Sequence, residues 1–227
     1  MRDRAPTPAP PSPPTGPIGG QLAYVLRGLL VRMRLTTLTA RYDSTVVMAV
    51  FSLINGLISI GLMATVALVS HQPFIFPSLG PTAFLFFYTP LAPAASPRNA
   101  ILGHLVGAVA GWVSLAACGL LDAGPAVTSG VTAARVAAAA LSLGLTSGFM
   151  VLLRTPHPPA GATTLIVSLG ILHTPAQLAV LMAAVVLLVL QAIAINRLAG
   201  LPYPLWAARR DETRERSEER HARPRRE

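Results

Sequence analysis

The 227-residue chain contains no lysine: all eighteen of its basic residues are arginine. Acids are scarcer, and between Ser44 and Asn196 the only charged side chains are Arg98, Asp122, Arg135 and Arg154. Charged residues make up 12% of the chain and apolar ones 52%, against roughly 25% charged in a soluble domain. A soluble fold cannot leave so long a stretch bare without exposing large apolar patches. The chain is therefore an integral membrane protein. Its lone cysteine, Cys118, lies in an apolar run, which excludes an intramolecular disulfide and reads as a small packing residue. His71, His157 and His173 are scattered, no two histidines stand four apart, and no cysteine joins them, so neither a metal nor another cofactor is expected. No nucleophile–base set marks an enzyme. The net charge of +9 is divided between the two ends and a sparse middle, which suits membrane orientation rather than a nucleic-acid partner.

What is present is long apolar sequence. Residues 1–20 hold seven prolines and read as a disordered tail, without the apolar stretch of a cleavable signal. Residues 21–43 place Arg27, Arg32, Arg34 and Arg41 among leucines and valines, the pattern of an amphipathic helix on a membrane surface. Four runs, near 46–70, 99–121, 131–153 and 176–198, approach the roughly 20 residues or more that a span needs. Two shorter apolar stretches, Phe74–Tyr88 and Pro159–Leu172, are broken by Pro and Gly, and each lies between two full spans. The fold class expected is an all-α membrane protein: four full transmembrane helices plus two short broken or re-entrant helices, within residues 44–198. Gly80-Pro81-Thr82-Ala83 aligns with Gly161-Ala162-Thr163-Thr164, which suggests two internal repeats. Arginines flanking the first and last spans place both termini in the cytoplasm and demand an even number of crossings. Re-entrant short elements give four crossings; tilted or broken ones give six and make the halves inverted. Residues 199–227 form a charged tail, with eight arginines and six acids from Arg209 onward, read as solvated or as a salt-bridged helix.

Irregular backbone at membrane depth survives only under cover of protein or a water-filled cavity, so the broken elements should face inward. In Thr155-Pro156-His157-Pro158-Pro159-Ala160-Gly161, the prolines should hold His157 and Pro158 extended and start a helix at Pro159. The first N–H groups of that helix, with Thr163 and Thr164, would form an anion cradle. A Pro-Gly bend for helix packing accounts for the same residues. Gly80, Thr82 and Ala83, with Ser78 nearby, offer a matching helix start. Arg98 and Arg154 adjoin the two elements and either guide an anion or snorkel to the interface; for Arg135 the second reading is stronger. Gly103, Gly107 and Gly111 form a small-residue stripe for close packing, echoed by Gly144 and Gly148 and by Ser52 and Gly56. His104 follows Gly103 and either titrates inside or is a satisfied core histidine. With His157, it is the candidate for carrying a coupling proton.

These motifs resemble one known family. His157-Pro158-Pro159-Ala160-Gly161-Ala162-Thr163 is similar to the signature of the HPP family of integral membrane proteins. Pro77-Ser78-Leu79-Gly80 and Ser96-Pro97-Arg98-Asn99 with Gly103-His104 are similar to its two upstream motifs, and the likeness covers about residues 42–198. At Pro81-Thr82 the chain departs from the small residues expected after Gly80. The resemblance implies four transmembrane helices and, from plastid and cyanobacterial members, nitrite transport. The combined expectation is a multi-pass inner-membrane transporter of a small monovalent anion, nitrite the first candidate. Its binding residues would be Ser78, Gly80, Thr82, Arg98, Asn99, His104, Arg154, His157, Pro159, Gly161 and Thr163. A non-transporting sensor or assembly partner is the competing class. Expected partners are the inorganic anion, the lipid bilayer and, for self-association, a homo-oligomer.

Overall fold

The computed structural model describes residues 34–208, and the expectations for residues 1–33 and 209–227 lie outside the described residues. Within 34–208 the chain is helical, with no strand. In order the helices are α1 (Leu35–Thr39), α2 (Ser44–Ser70), α3 (Leu79–Tyr88), α4 (Pro97–Ala117), α5 (Ala126–Ser129), α6 (Ala133–Leu152), α7 (Ala160–Ser168) and α8 (Pro175–Leu198), with a 3-10 turn at Pro93–Ala95. Four of them, α2, α4, α6 and α8, are long and apolar enough to cross a membrane. Their starts are written in the sequence. Asp43 accepts the N–H groups of Thr45 and Val46, Ser96 that of Asn99 and Thr132 that of Arg135. Thr174 and Gln177 form a reciprocal capping box. Each supplies an acceptor to N–H groups that a helix start leaves unpaired.

Two boundaries differ from expectation. The second span ends at Ala117, not near 121, because Gly119 takes a left-handed φ of 66° and turns Leu120 and Leu121 out of the helix. The surface helix does not run on to Asp43 either; α1 stops at Thr39, leaving Arg41 in the turn before α2.

Hydrogen bonds between elements fix the threading. At one end, Leu35 N–H meets the Ala199 carbonyl and Arg98 N–H meets the Trp206 carbonyl, both at 2.9 Å. The Arg98 guanidinium reaches the carbonyls of Leu153 and Arg154, and Asn196 reaches that of Phe86. The start of α4 and the ends of α3, α6 and α8 therefore gather at this Arg98 end. At the other, the Asp122 end, Ala126 N–H meets the Leu169 carbonyl and the Trp112 indole meets that of His173. Arg135 there bonds the carbonyls of Gly124 and Ser168. The end of α4, the starts of α5 and α6, the end of α7 and the start of α8 gather there. Helix α7 thus runs from one end toward the other between α6 and α8, and α3 runs the opposite way between α2 and α4. Both are short elements broken from the four full spans. Nine or ten residues rise only about 15 Å, and a short non-helical segment precedes each of them.

Each half is long helix, short helix, long helix, and the two short helices run in opposite directions. Pro77-Ser78-Leu79-Gly80-Pro81-Thr82 and Pro158-Pro159-Ala160-Gly161-Ala162-Thr163 share Pro, Gly and Thr in register. Ser96-Pro97-Arg98-Asn99 and Thr174-Pro175-Ala176-Gln177 share a hydroxyl cap, a proline in the first turn and an amide three residues after the cap. The duplication is inverted.

Helix α4 is central and packs on α6, α7 and α8. Its glycine stripe receives α7. A Cβ at Gly103 would lie 2.7 Å from His157 Cβ, at Gly107 2.7 Å from Thr164 Oγ1, and at Gly111 2.7 Å from Val167 Cβ. The packing expected of the other stripes is absent: a Cβ at Gly56, Gly144 or Gly148 meets nothing within 4 Å. The outer faces expose Leu57, Leu68, Val136 and Leu190, as a lipid-facing surface requires.

Candidate functional site

The glycine stripe of α4 draws α7 close enough to set His157, just before α7, against His104, one residue past Gly103. The two Nε2 atoms are 3.2 Å apart although the residues are far separated in sequence. Thr82, from α3, places its Oγ1 3.0 Å from His104 Nε2 and 3.3 Å from His157 Nε2. Thr163, from α7, places its Oγ1 2.7 Å from His104 Nδ1. All four side chains are fully buried. Thr82 and Thr163 are the aligned threonines of the two repeats, so the inverted halves meet across one imidazole. Behind α7, Thr146 and Thr164 share a hydroxyl bond of 2.8 Å.

The proton positions follow from the acceptors. The Ala94 carbonyl can only accept, so His157 carries its proton on Nδ1 and donates at 2.8 Å. Its Nε2 is then an acceptor, facing His104 Nε2–H. His104 Nδ1 in turn accepts from the Thr163 hydroxyl, and Thr82 donates to the Ser78 carbonyl at 2.8 Å. With His104 protonated on Nδ1 instead, two lone pairs would face each other. The neutral pair therefore has one donor direction throughout, from Thr163 through His104 and His157 to Ala94.

The backbone cradle expected at the start of α7 is not found. The N–H groups of Ala160, Gly161 and Ala162 are bonded to the carbonyls of His157, Pro158 and Pro159 at 3.0, 3.0 and 3.1 Å. Pro158 and Pro159 form a turn rather than an extended lead-in, with Pro159 at φ −57°, ψ −24°. Prolines have no N–H, so this turn starts a helix inside the protein without stranding donors. A Cβ at Gly161 would meet Leu143 at 3.6 Å, while one at Gly80, which is exposed, would meet nothing within 4 Å. Ser78 is buried with an unpartnered hydroxyl.

The structure also separates Arg98, Asn99 and Arg154 from the histidines. Arg98 lies about 9 Å along α4 from His104 and caps the C-terminal carbonyls of α6, where a cation is favoured. Asn99 bonds the Pro93 carbonyl and so holds the 3-10 turn that presents Ala94. Arg154 is exposed, at a left-handed φ of 52°. Arg135 does not snorkel: it is buried and caps α7.

Two participants were not legible in the sequence reading. The Ala94 carbonyl orients His157, and the next carbonyl, Ala95, accepts the Tyr203 hydroxyl at 2.6 Å. Tyr203 is fully buried against Phe86, in the non-helical strap that follows α8. Burial pushes its phenol above the ordinary value, so it keeps its proton. Prolines on both sides of Tyr203 were the available signal of an ordered segment. No group of three metal-ligating side chains occurs among the described residues.

A family profile described as "HPP, transmembrane region" matches residues 41–204. The chain belongs to the HPP transmembrane family. A Dictyostelium discoideum transmembrane protein is 33% identical over 105 residues, covering 46% of this chain and 33% of its own length. A second from the same organism is 36% identical over 93 residues, covering 41% of this chain and 27% of its own length. The match thus spans a third or less of these relatives. No solved structure matches. For this HPP protein the four long helices agree with the four that the resemblance implied, and α3 and α7 are two short helices set between them.

Proposed function

We propose that this HPP protein transports a small monovalent anion across a membrane, with nitrite the first candidate. The observation that carries the reading is the meeting of Thr82 and Thr163, one from each inverted half, on the buried ring of His104. Transporters built from inverted repeats bind substrate where the repeats meet, on broken helices. The Thr82 and Thr163 hydroxyls and the His104 N–H, which here bond the Ser78 carbonyl and the two imidazoles, would have to turn to a small anion to hold it, and the described passes carry no carboxylate to repel one. The binding set is Thr82, His104, His157 and Thr163, with Ser78 beside it. Arg98, Asn99, Pro159 and Gly161 shape the site, and Arg154 lies at its approach. Arg34, Arg41, Arg98, Arg154 and Arg197 all sit at the Arg98 end, which the positive-inside rule assigns to the cytoplasm, in keeping with an inner membrane.

Uptake of nitrite, nitrate, formate and chloride into liposomes holding the purified protein tests the proposal. Flux of at least one anion above protein-free vesicles is expected, falling by about tenfold or more in His104→Gln, in line with the loss of a charge-assisted bond. A folded preparation that passes none of the four sinks the transporter reading and leaves the non-transporting sensor.

A further inference from the structure

The two histidines face each other through the same nitrogen, an arrangement with room for one more proton. Adding it at His104 Nδ1 requires only that the Thr163 hydroxyl turn round, so that Nδ1–H donates to it. His104 Nε2–H keeps its acceptor on His157, and His157 keeps Ala94. A second proton would have to sit on His157 Nε2 and would set two N–H groups against each other at 3.2 Å. The pair takes one proton and no more.

What that proton lacks is a counter-charge. Facing the pair are the Thr82 hydroxyl from α3, the Thr163 hydroxyl from α7 and the Ala94 carbonyl from the 3-10 turn. From α6, Thr146 reaches only Thr164. From α8, Asn196 bonds the Phe86 carbonyl. The Tyr203 phenol lies beyond Phe86, bonded to Ala95. The cations of these elements turn elsewhere: Arg98 to the end of α6, Arg135 to the end of α7, and Arg197 to the Tyr203 carbonyl. The described acids are Asp43, which caps α2, and the exposed Asp122 at the far end of the bundle. An imidazolium buried at membrane depth without an anion is costly, and so is an anion buried without a cation. Together they make a neutral load.

We propose that the His104–His157 pair binds one proton together with one monovalent anion, so that the protein moves the two as an electroneutral pair. The inference rests on the anion-transport reading and adds its coupling ion and stoichiometry. Proton and anion each raise the other's affinity, since such linkage is reciprocal.

The test is anion binding to the purified, detergent-solubilised protein by equilibrium dialysis with nitrite and nitrate, between about pH 6 and 8. The dissociation constant should rise about tenfold per pH unit where the free pair is unprotonated. In weak buffer, one proton should leave solution for each anion bound. His104→Gln and His157→Gln should flatten the pH slope. Should either variant not fold, the wild-type pH series and proton count decide alone. Binding that is independent of pH overturns the coupling while the anion reading stands. Absence of both binding and flux, for any of the four anions, sinks the reading beneath it. Stoichiometric zinc or copper in the purified protein also overturns the proposal, because the metal would occupy the facing nitrogens.

Discussion

His104 has both ring nitrogens committed, one to a threonine of each repeat. Removing a partner from a fully buried polar group costs about 1–3 kcal/mol. Thr163→Val should therefore destabilise the protein by about that amount, read as a lower unfolding midpoint in detergent, while Thr163→Ser should retain most of the stability and any flux. Loss in Thr163→Ser but not in Thr163→Val would show that the methyl, not the hydroxyl, matters there. Much of this residue set was legible beforehand. The alignment of Gly80 and Thr82 with Gly161 and Thr163 singled out the threonines, and the neighbourhood of Gly103 singled out His104. The His104–His157 contact was not legible, because it joins residues 53 positions apart. Glycine spacing announces a groove but not its occupant.

At the scale of elements, that groove makes a second prediction. A side chain at Gly107 would meet Thr164 Oγ1 at 2.7 Å and the Ala160 carbonyl at 2.8 Å. Gly107→Val should force α4 and α7 apart and cost about 1–3 kcal/mol. Gly144→Ala, on the open face of α6, should be neutral or stabilise by up to about 1 kcal/mol, the difference in helix propensity. Thermal unfolding of the two variants side by side checks both signs. The spans themselves were read from hydropathy to within a few residues, since apolar length is all that a span demands. Hydropathy misplaced the end of α4 because Leu120 and Leu121 remain apolar after Gly119 has turned the backbone. The start of α7 was misread for another reason. Helix starts usually strand N–H groups, but here two prolines remove the donors and a tight turn uses the next three.

For the molecule as a whole, six passes place Gln72 and Asp122, both exposed, on the same side of the membrane. Four passes with re-entrant elements would place them on opposite sides. In a Cys118→Ser background, Gln72→Cys and Asp122→Cys should react with an impermeant thiol reagent added to the same side of sealed vesicles. Labelling from opposite sides would restore the re-entrant topology. Sequence alone left this open because a nine-residue helix is too short to announce a crossing. Its direction shows only in which ends bond to which, as Arg98 does to Arg154 and Ala126 to Leu169.

The 3-10 turn gives neighbouring carbonyls to two distant parts of the chain, Ala94 to His157 and Ala95 to Tyr203. His157 therefore shares its anchor with the strap that leads toward the C-terminal tail. Movement of that strap at Tyr203 reaches the ring through two adjacent residues of backbone, Ala95 and Ala94. Displacing Tyr203 loosens the acceptor that decides which nitrogen of His157 holds its hydrogen.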